Sequence, residues 1–405
     1  MEVAALKLDL IQTIALASVL YYLGIRLKSA IPALDRLNIP SAVIGGLVAA
    51  ASLLIARDRF VNVEFDTSAQ PLFMVAFFTT IGMSASLSVL KKGGLQVGVF
   101  LLFSAVFCVI QNLLGIGISS LFGVNPLLGV IAGSVTLVGG PATGMAFAPL
   151  FEELGVSGAA TLALTAATFG IVFGGLTGGP VGTWLIKRFS LHARPGIARE
   201  EGTRELATED EVLSVVVNRE DSHFIVNAIV TAAAMGLGTI LTYGFQQLRW
   251  TLPAYIGAMM VASIVRNIDD RTGWFRIDQR SMEFIGLISL NIFLVVALMN
   301  LKLWELLNLA VPLFAILAAQ VLAVTMFAAF VSYRLMGRDY DAAVMSSGFV
   351  GFALGTTANA MANMKTLVTK YGPAPRAFLV VPMVGAFFID FVNALIITFF
   401  LNVYR

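Results

Sequence analysis

Charge is what this sequence has least of. Only 12% of its 405 residues are Asp, Glu, Lys or Arg, 58% are hydrophobic, and the mean hydropathy is +0.88. Soluble domains run near 25% charged and 45–50% apolar, so a water-soluble globule is excluded and an integral membrane protein is implied. Cysteine is nearly absent: the single Cys108 lies in an apolar run, which excludes a disulfide framework and a thiolate metal site and leaves packing as its role. The two histidines form no cluster. There is no nucleophile elbow and no phosphate-cradling glycine loop before a lysine, so no catalytic apparatus is expected. The opening "MEVAALKLDL" has neither a basic region nor a small-residue cleavage site, so the first apolar run reads as a span and not as a cleaved signal. The net charge of +2 is unremarkable, and no nucleic-acid partner is expected. Apolar/polar alternation in short segments, the mark of a membrane barrel, is also missing; "LLFSAVFCVIQNLLGIGISSLF" is apolar on every face.

Long apolar runs are what is present, and a bilayer-crossing helix needs ~20 such residues. Ten runs read as spans, near 8–27, 39–55, 70–90, 95–121, 159–186, 223–245, 252–265, 282–300, 309–331 and 378–401. Two more segments, near 127–150 and 342–364, are apolar but interrupted. Cytoplasmic loops collect Lys and Arg. If both interrupted segments dip in and return on one side, and the termini lie outside, the basic residues of 26–36, 91–92, 187–219, 266–280, 334–338 and 365–376 share the inside. Only Lys7, Arg57, Arg59, Arg249, Lys302 and Arg405 are then left outside. Letting either segment cross weakens that asymmetry.

Five spans before the central loop make the two halves enter the membrane in opposite senses, so homology between them makes an inverted repeat. "IPSAVIGGLVAASLL" from Ile39 resembles "LPAYIGAMMVASIV" from Leu252, and "GSVTLVGGPATGMAF" from Gly133 lies over "GFVGFALGTTANAMAN" from Gly348. The expected organisation is an N-terminal repeat at 1–186, a cytoplasmic linker at 187–222 and an inverted C-terminal repeat at 223–405. The linker has room for a short amphipathic helix on Leu206, Val212, Leu213 and Val216. Inverted repeats with interrupted segments at matching places point to a secondary transporter and to its binding site.

Non-helical backbone at membrane depth survives only where protein or water surrounds it. Two re-entrant hairpins therefore imply a cavity, with the tips "GGPAT" and "GTTAN" meeting near the midplane. Glycine permits the turn and close approach of a ligand to backbone, and Pro141 suits the first turn of a returning half-helix. Free N–H groups at a half-helix start favour carboxylates, so two such starts suit a solute with two of them. Thr136, Thr143, Thr356, Thr357, Asn359 and Asn363 supply hard oxygens that suit sodium. Asp390, in "VGAFFIDFVNALII", is the clearest carboxylate within a span and must face protein or a cavity; it is a partner for a substrate ammonium, a coupling-ion ligand, one half of a structural ion pair, or a protonated acid. Asn393 shares its helix face. Arg376 can meet a carboxylate, or simply obey positive-inside placement. Gln111, Asn112, Asn291 and Gln320 read as interhelical hydrogen-bonding groups, Met361 and Met364 as packing, and Glu152 and Glu153 as surface residues.

"LVGGPATGMAF", "GFALGTTANAMANM" and above all "FLVVPMVGAFFIDFVNALI" from Phe378 resemble the bacterial sodium/glutamate symporter family. The resemblance covers both repeats. It implies sodium-coupled uptake of L-glutamate across the cytoplasmic (inner) membrane. It also implies a homodimer in the lipid bilayer whose fixed scaffold lets a transport domain with both hairpins slide, as in the related 2-hydroxycarboxylate transporters. Family members often carry a histidine after the paired glycines, where this chain has Pro141, and "TPT" where it reads "TTAN"; any role of that histidine is absent here. The expected fold is all-α, ten transmembrane helices in two inverted five-helix repeats. The expected substrate site comprises Gly139, Gly140, Pro141, Ala142, Thr143, Gly355, Thr356, Thr357, Arg376 and Asp390. Sodium, the only expected cofactor, falls to Thr136, Thr143, Asn359, Asn363, Asp390 and Asn393. The alternatives are a di- or tricarboxylate substrate, or, from another class, a channel or a non-transporting scaffold.

Overall fold

Each long apolar run folds as a helix, because backbone in lipid must satisfy its own polar groups and a helix does so within one segment. The structure, a computed structural model, describes residues 5–37, 39–56, 62–92, 94–193, 221–247, 253–301 and 309–404. The first half supplies β1 (Ala5–Leu8), α1 (Leu10–Ala30), α2 (Ser41–Ala56), β2 (Asn62–Phe65), α3 (Gln70–Ser84) and a short arm, α4 (Leu87–Lys92). It continues with α5 (Gly94–Leu121), a broken pair α6 (Leu127–Val130) and α7 (Gly140–Glu153), and α8 (Ala159–Arg188). The second half supplies α9 (Asp221–Gln247), α10 (Ala254–Thr272), α11 (Gln279–Met299), α12 (Ala310–Phe327) and the broken pair α13 (Tyr340–Leu354) and α14 (Thr357–Tyr371). It closes with α15 (Pro375–Met383), which passes through a π-type turn at Val384–Phe388 into α16 (Ile389–Val403).

Helices α1, α5, α8, α9, α11 and α12 are long and apolar enough to cross a bilayer, while α2, α3 and α16 are apolar but shorter. This is a multi-pass, mostly helical membrane protein. Several details differ from the sequence reading, among them the seventh run, which stays helical to Thr272 and does not end near 265. The third run stops at Ser84 and not near 90, because Asn267 and Asp270 of α10 seize the next residues. The Asn267 amide donates to the Ala85 carbonyl at 3.0 Å and accepts from the Leu87 N–H at 2.8 Å, and the Ser86 and Ser88 hydroxyls donate to Asp270. The ninth run outlasts residue 331, through a π-type turn at Ala328–Ser332 to Leu335. Finally, β1 and β2 pair in parallel with Ala5 opposite Asn62, a contact no local period announces. Leu206, Val212, Leu213 and Val216 lie outside the described residues.

The helices pack in two groups. One holds α1, α2, α3, α9, α10 and α11; the other holds α5, α8, α12, α15 and α16 with both broken pairs, and contacts within each group far exceed those between them. Each half of the chain thus contributes three helices to the first group and two plus a broken pair to the second, α15 and α16 counting as one continuous rod. The halves use glycine alike. A side-chain carbon on Gly45 of α2 would lie 2.1 Å from the Leu20 carbonyl oxygen of α1, and one on Gly257 of α10 would lie 2.3 Å from that of Gly238 in α9.

In the second group α13 is fixed by rings. Phe349 is met by Phe103 and Phe107 of α5 with centroids 5.4 Å away, and by Phe327 of α12 at 5.5 Å; edge and tilted geometries of this kind add ~0.5–1.5 kcal/mol per pair. Its other side rests on a glycine stripe, Gly170, Gly174, Gly178 and Gly182 of α8, spaced four residues apart as in small-residue membrane interfaces. A side-chain carbon would stand 2.0 Å from the Leu354 carbonyl oxygen at Gly170 and 2.0 Å from the Asn363 amide nitrogen at Gly178. Gly179 points into open space.

Gly178→Ala is therefore expected to lower the thermal midpoint in detergent, since overpacking costs ~1–3 kcal/mol. Gly179→Ala should match or exceed the parent, as alanine gains up to ~1 kcal/mol of helix propensity. Equal shifts for the two variants would refute the stripe as the seat of the second hairpin.

Candidate functional site

The first broken pair enters as α6, loses helical geometry at Gly133 (φ −102°, ψ −132°) within the turn Ile131–Val135, and restarts as α7 at Gly140. Gly140 has φ +66°, a left-handed conformation that costs other residues 1–2 kcal/mol. Pro141 follows in the first turn of α7, where its missing N–H costs nothing. The second pair turns at Gly355, and Thr356 caps α14 by accepting from the Asn359 N–H at 3.4 Å. The two turns meet: a side-chain carbon on Gly140 would lie 3.8 Å from the Gly355 carbonyl oxygen. The first amides of a helix have no partner within it, and two helix dipoles end here on their positive sides. Limbs α6 and α13 and most of α7 are buried, while α14 exposes Lys365, Thr366, Thr369 and Lys370; at the tips Gly139, Thr356 and Thr357 are partly exposed and Ala358 is exposed. Backbone donors thus converge where a solute can reach them.

Buried amide side chains hold the breaks in place. The Asn112 carbonyl oxygen accepts from the Ser134 N–H at 2.9 Å, and the Asn393 amide donates to the Ser134 carbonyl at 2.8 Å. Gln111, the neighbour of Asn112, donates to the Ala353 carbonyl at 3.0 Å, and Gln320 donates to the Gln111 carbonyl at 2.7 Å. One turn of α5 therefore grips both breaks. Asn359 and Asn363 donate to the Ile171 and Gly174 carbonyls of α8 at 2.5 and 2.9 Å. Thr357 donates to the Gly385 carbonyl at 2.7 Å, inside the π-type turn, a geometry that loosens the normal ladder.

Several of these groups keep a free valence. The side-chain carbonyl oxygens of Asn359 and Asn393 and the hydroxyl of Ser134 are buried with no hydrogen-bond partner among the described residues. A buried unsatisfied polar atom costs about 1–3 kcal/mol, and three unpaired oxygens near two chain breaks suit a hard cation. Asp390 is half-buried on α16, and among the described residues no hydrogen bond or ion pair reaches its carboxylate. It shares α16 with Asn393, three residues on, whose amide holds the Ser134 carbonyl. Tyr255 belongs to the first group, stacks on Phe78 at 4.0 Å, and meets Phe147 of α7 edge-on at 5.6 Å. Among the described residues no cluster of His, Cys, Asp and Glu suited to a transition metal occurs.

Two of the residues singled out from sequence are engaged elsewhere. Arg376 pairs with Asp339 at 2.7 Å, and its N–H donates to Asp341 at 3.1 Å. These aspartates flank the start of α13, whose 15 residues put them ~22 Å from the Gly355 turn at 1.5 Å per residue. Arg376 is a clamp between α13 and α15 and not a tip residue. Thr136 spends its hydroxyl on the Ile131 carbonyl at 2.6 Å. Gly139, Gly140, Pro141, Ala142, Thr143, Gly355, Thr356 and Thr357 sit at the tips, and Thr143 has no hydrogen bond among the described residues through its hydroxyl. Ser134 and Tyr255 went unnoticed, although both stand inside the repeated motifs. Gln111, Asn112 and Gln320 do bond between helices, and Cys108 and Met364 are buried in packing.

The chain is similar throughout its length to known proteins. Residues 6–373 match the model of the sodium/glutamate symporter family. The sodium/glutamate symporters of Escherichia coli K12 and Shigella flexneri are each 39% identical over 403 residues, covering 97% of this chain and 98% of theirs. That of Haemophilus influenzae is 39% identical over 385 residues, covering 95% of both. Similarity of this extent, over a helical membrane fold with two converging chain breaks, makes the chain a member of the sodium/glutamate symporter family.

Proposed function

We propose that the chain imports L-glutamate with sodium across the bacterial cytoplasmic membrane, and that the hairpin tips are where it holds them. The observation that carries this is the approach of Gly140 to Gly355, which aims two helix starts at one point. Their amides, with the hydroxyls of Thr143, Thr356 and Thr357, receive the two carboxylates, and Asp390 balances the ammonium. The unpaired oxygens of Asn359 and Asn393, with carbonyls of the breaks, take sodium. Sodium beside the carboxylates lowers the cost of bringing two negative charges out of water, which is the physical basis of coupling. An anionic solute without the cation binds weakly.

Transport follows from the division into two groups. The hairpin group slides against the other, carrying its load past a fixed wall that includes Tyr255. That motion is of the elevator type, with the wall as scaffold and two chains as a homodimer. The termini lie outside and the linker 187–222 lies in the cytoplasm, as the distribution of Lys and Arg favours.

Purified protein in liposomes should accumulate labelled glutamate only under an inward sodium gradient, with citrate and malate competing poorly. Equal accumulation under a proton gradient alone would end the coupling claim. Asn393→Leu should raise the sodium concentration for half-maximal uptake roughly tenfold to a hundredfold, since a contact to a charged group is worth ~1.5–3 kcal/mol. Asp390→Asn should leave folding intact and weaken glutamate more than a dicarboxylate lacking the ammonium. Unchanged uptake in the Asp390 variant would reduce that carboxylate to a packing role.

A further inference from the structure

At the arginine-rich end of the molecule a groove of about 520 Å³ lies between α10 and the start of arm α4, a volume in the usual range of ligand sites, ~300–1,000 Å³. Its walls are apolar. Ile264 and Ile268, one turn apart on α10, and Leu87 on the arm are 57%, 44% and 53% exposed. Contiguous apolar exposure of this kind suits contact with lipid. The groove cannot collapse, because Asn267 bonds both Ala85 and Leu87 and thereby fixes the arm against α10.

The polar end has one sign. Arg271 and Thr272 close it. Arg271 is exposed, and among the described residues it has no ion pair or hydrogen bond through its guanidinium. The other cation of this helix, Arg266, is already neutralised by Asp270 at 2.9 Å. Trp274, 75% exposed, follows directly, and exposed tryptophan marks the headgroup layer of a bilayer. From Ile264 to Arg271 the helix rises ~10 Å at 1.5 Å per residue. Hydrocarbon depth and headgroup depth are thus spanned by one groove.

We propose that this groove binds one anionic phospholipid, with its phosphate at Arg271 and Thr272 and an acyl chain along Ile268, Ile264 and Leu87. Basic pockets between helices at the cytoplasmic face recognise acidic headgroups in this way. The arm α4 is the link from α3 in one helix group to α5 in the other, so the lipid props the connection between them.

The test uses the full chain, purified and mixed with phosphatidylglycerol or phosphatidylcholine, and counts retained lipids by native mass spectrometry. One phosphatidylglycerol per chain should be retained in preference to phosphatidylcholine, and Arg271→Gln should weaken it about fivefold, the equivalent of ~1 kcal/mol for one basic residue at a membrane surface. Ile268→Trp, which fills the groove, should abolish it, while millimolar inorganic phosphate should not compete. Both variants should keep the parent's thermal midpoint in phosphatidylcholine. Equal retention of the two lipids, or unchanged phosphatidylglycerol binding in Arg271→Gln, would overturn the proposal. So would competition by phosphate, or a change in oligomeric state in the variants, which would assign the groove to a second copy.

Discussion

A peptide group that leaves its helix inside a bilayer finds no water, and each one left unpaired costs several kcal/mol. That constraint shapes everything around the two chain breaks. Carboxamide side chains are the means of meeting it, because such a group can offer either its N–H or its oxygen to a peptide. Asn112 and Asn393 serve the Ser134 N–H and carbonyl, Gln111 serves the Ala353 carbonyl at the second break, and Asn359 ties that break to the Ile171 carbonyl of α8. What remains unpaired around the breaks, among the described residues, is mostly oxygen, at Asn359, Asn393, Ser134, Gln111 and Gln320, with the Asn112 amide nitrogen as the exception. The same economy that makes the breaks tolerable leaves the acceptors that a cation needs.

Close approach is the second requirement. Bonds from a side chain on one element to the backbone of another demand that the backbones nearly touch, and the glycine stripe of α8 provides this beneath α13 and α14. A larger residue at Gly178 displaces Asn363, so a packing defect becomes a polar defect. Packing and hydrogen bonding are therefore coupled in this half of the molecule. The aromatic cluster around Phe349 holds the opposite side.

The membrane class, the positions of the helices and the two breaks were legible in the sequence because hydropathy and glycine–proline punctuation are local signals. Pro141 and Gly140 could be read because their backbone demands are intrinsic to those residue types. Arg376 was misread: its partners Asp339 and Asp341 stand some 35 positions away, and the sequence offers no reason to prefer them over a solute. The end of α3 was overshot for the same reason, since Asn267 and Asp270 that stop it come from the other half of the chain. Ser134 escaped notice because a serine among apolar residues carries no pattern; only the peptide geometry around Gly133 exposes its role. The β1–β2 pair is four residues per strand and 57 positions apart in register, below what periodicity can resolve.

Helices α2 and α3 have 16 and 15 residues, so at 1.5 Å per residue they measure ~24 and ~22 Å. The hydrocarbon layer is ~30 Å thick. Short rods of this kind draw the surrounding leaflets toward each other, at a fraction of a kcal/mol per ångström. The bilayer beside these two helices is then drawn thinner than beside the longer rods α5 and α8.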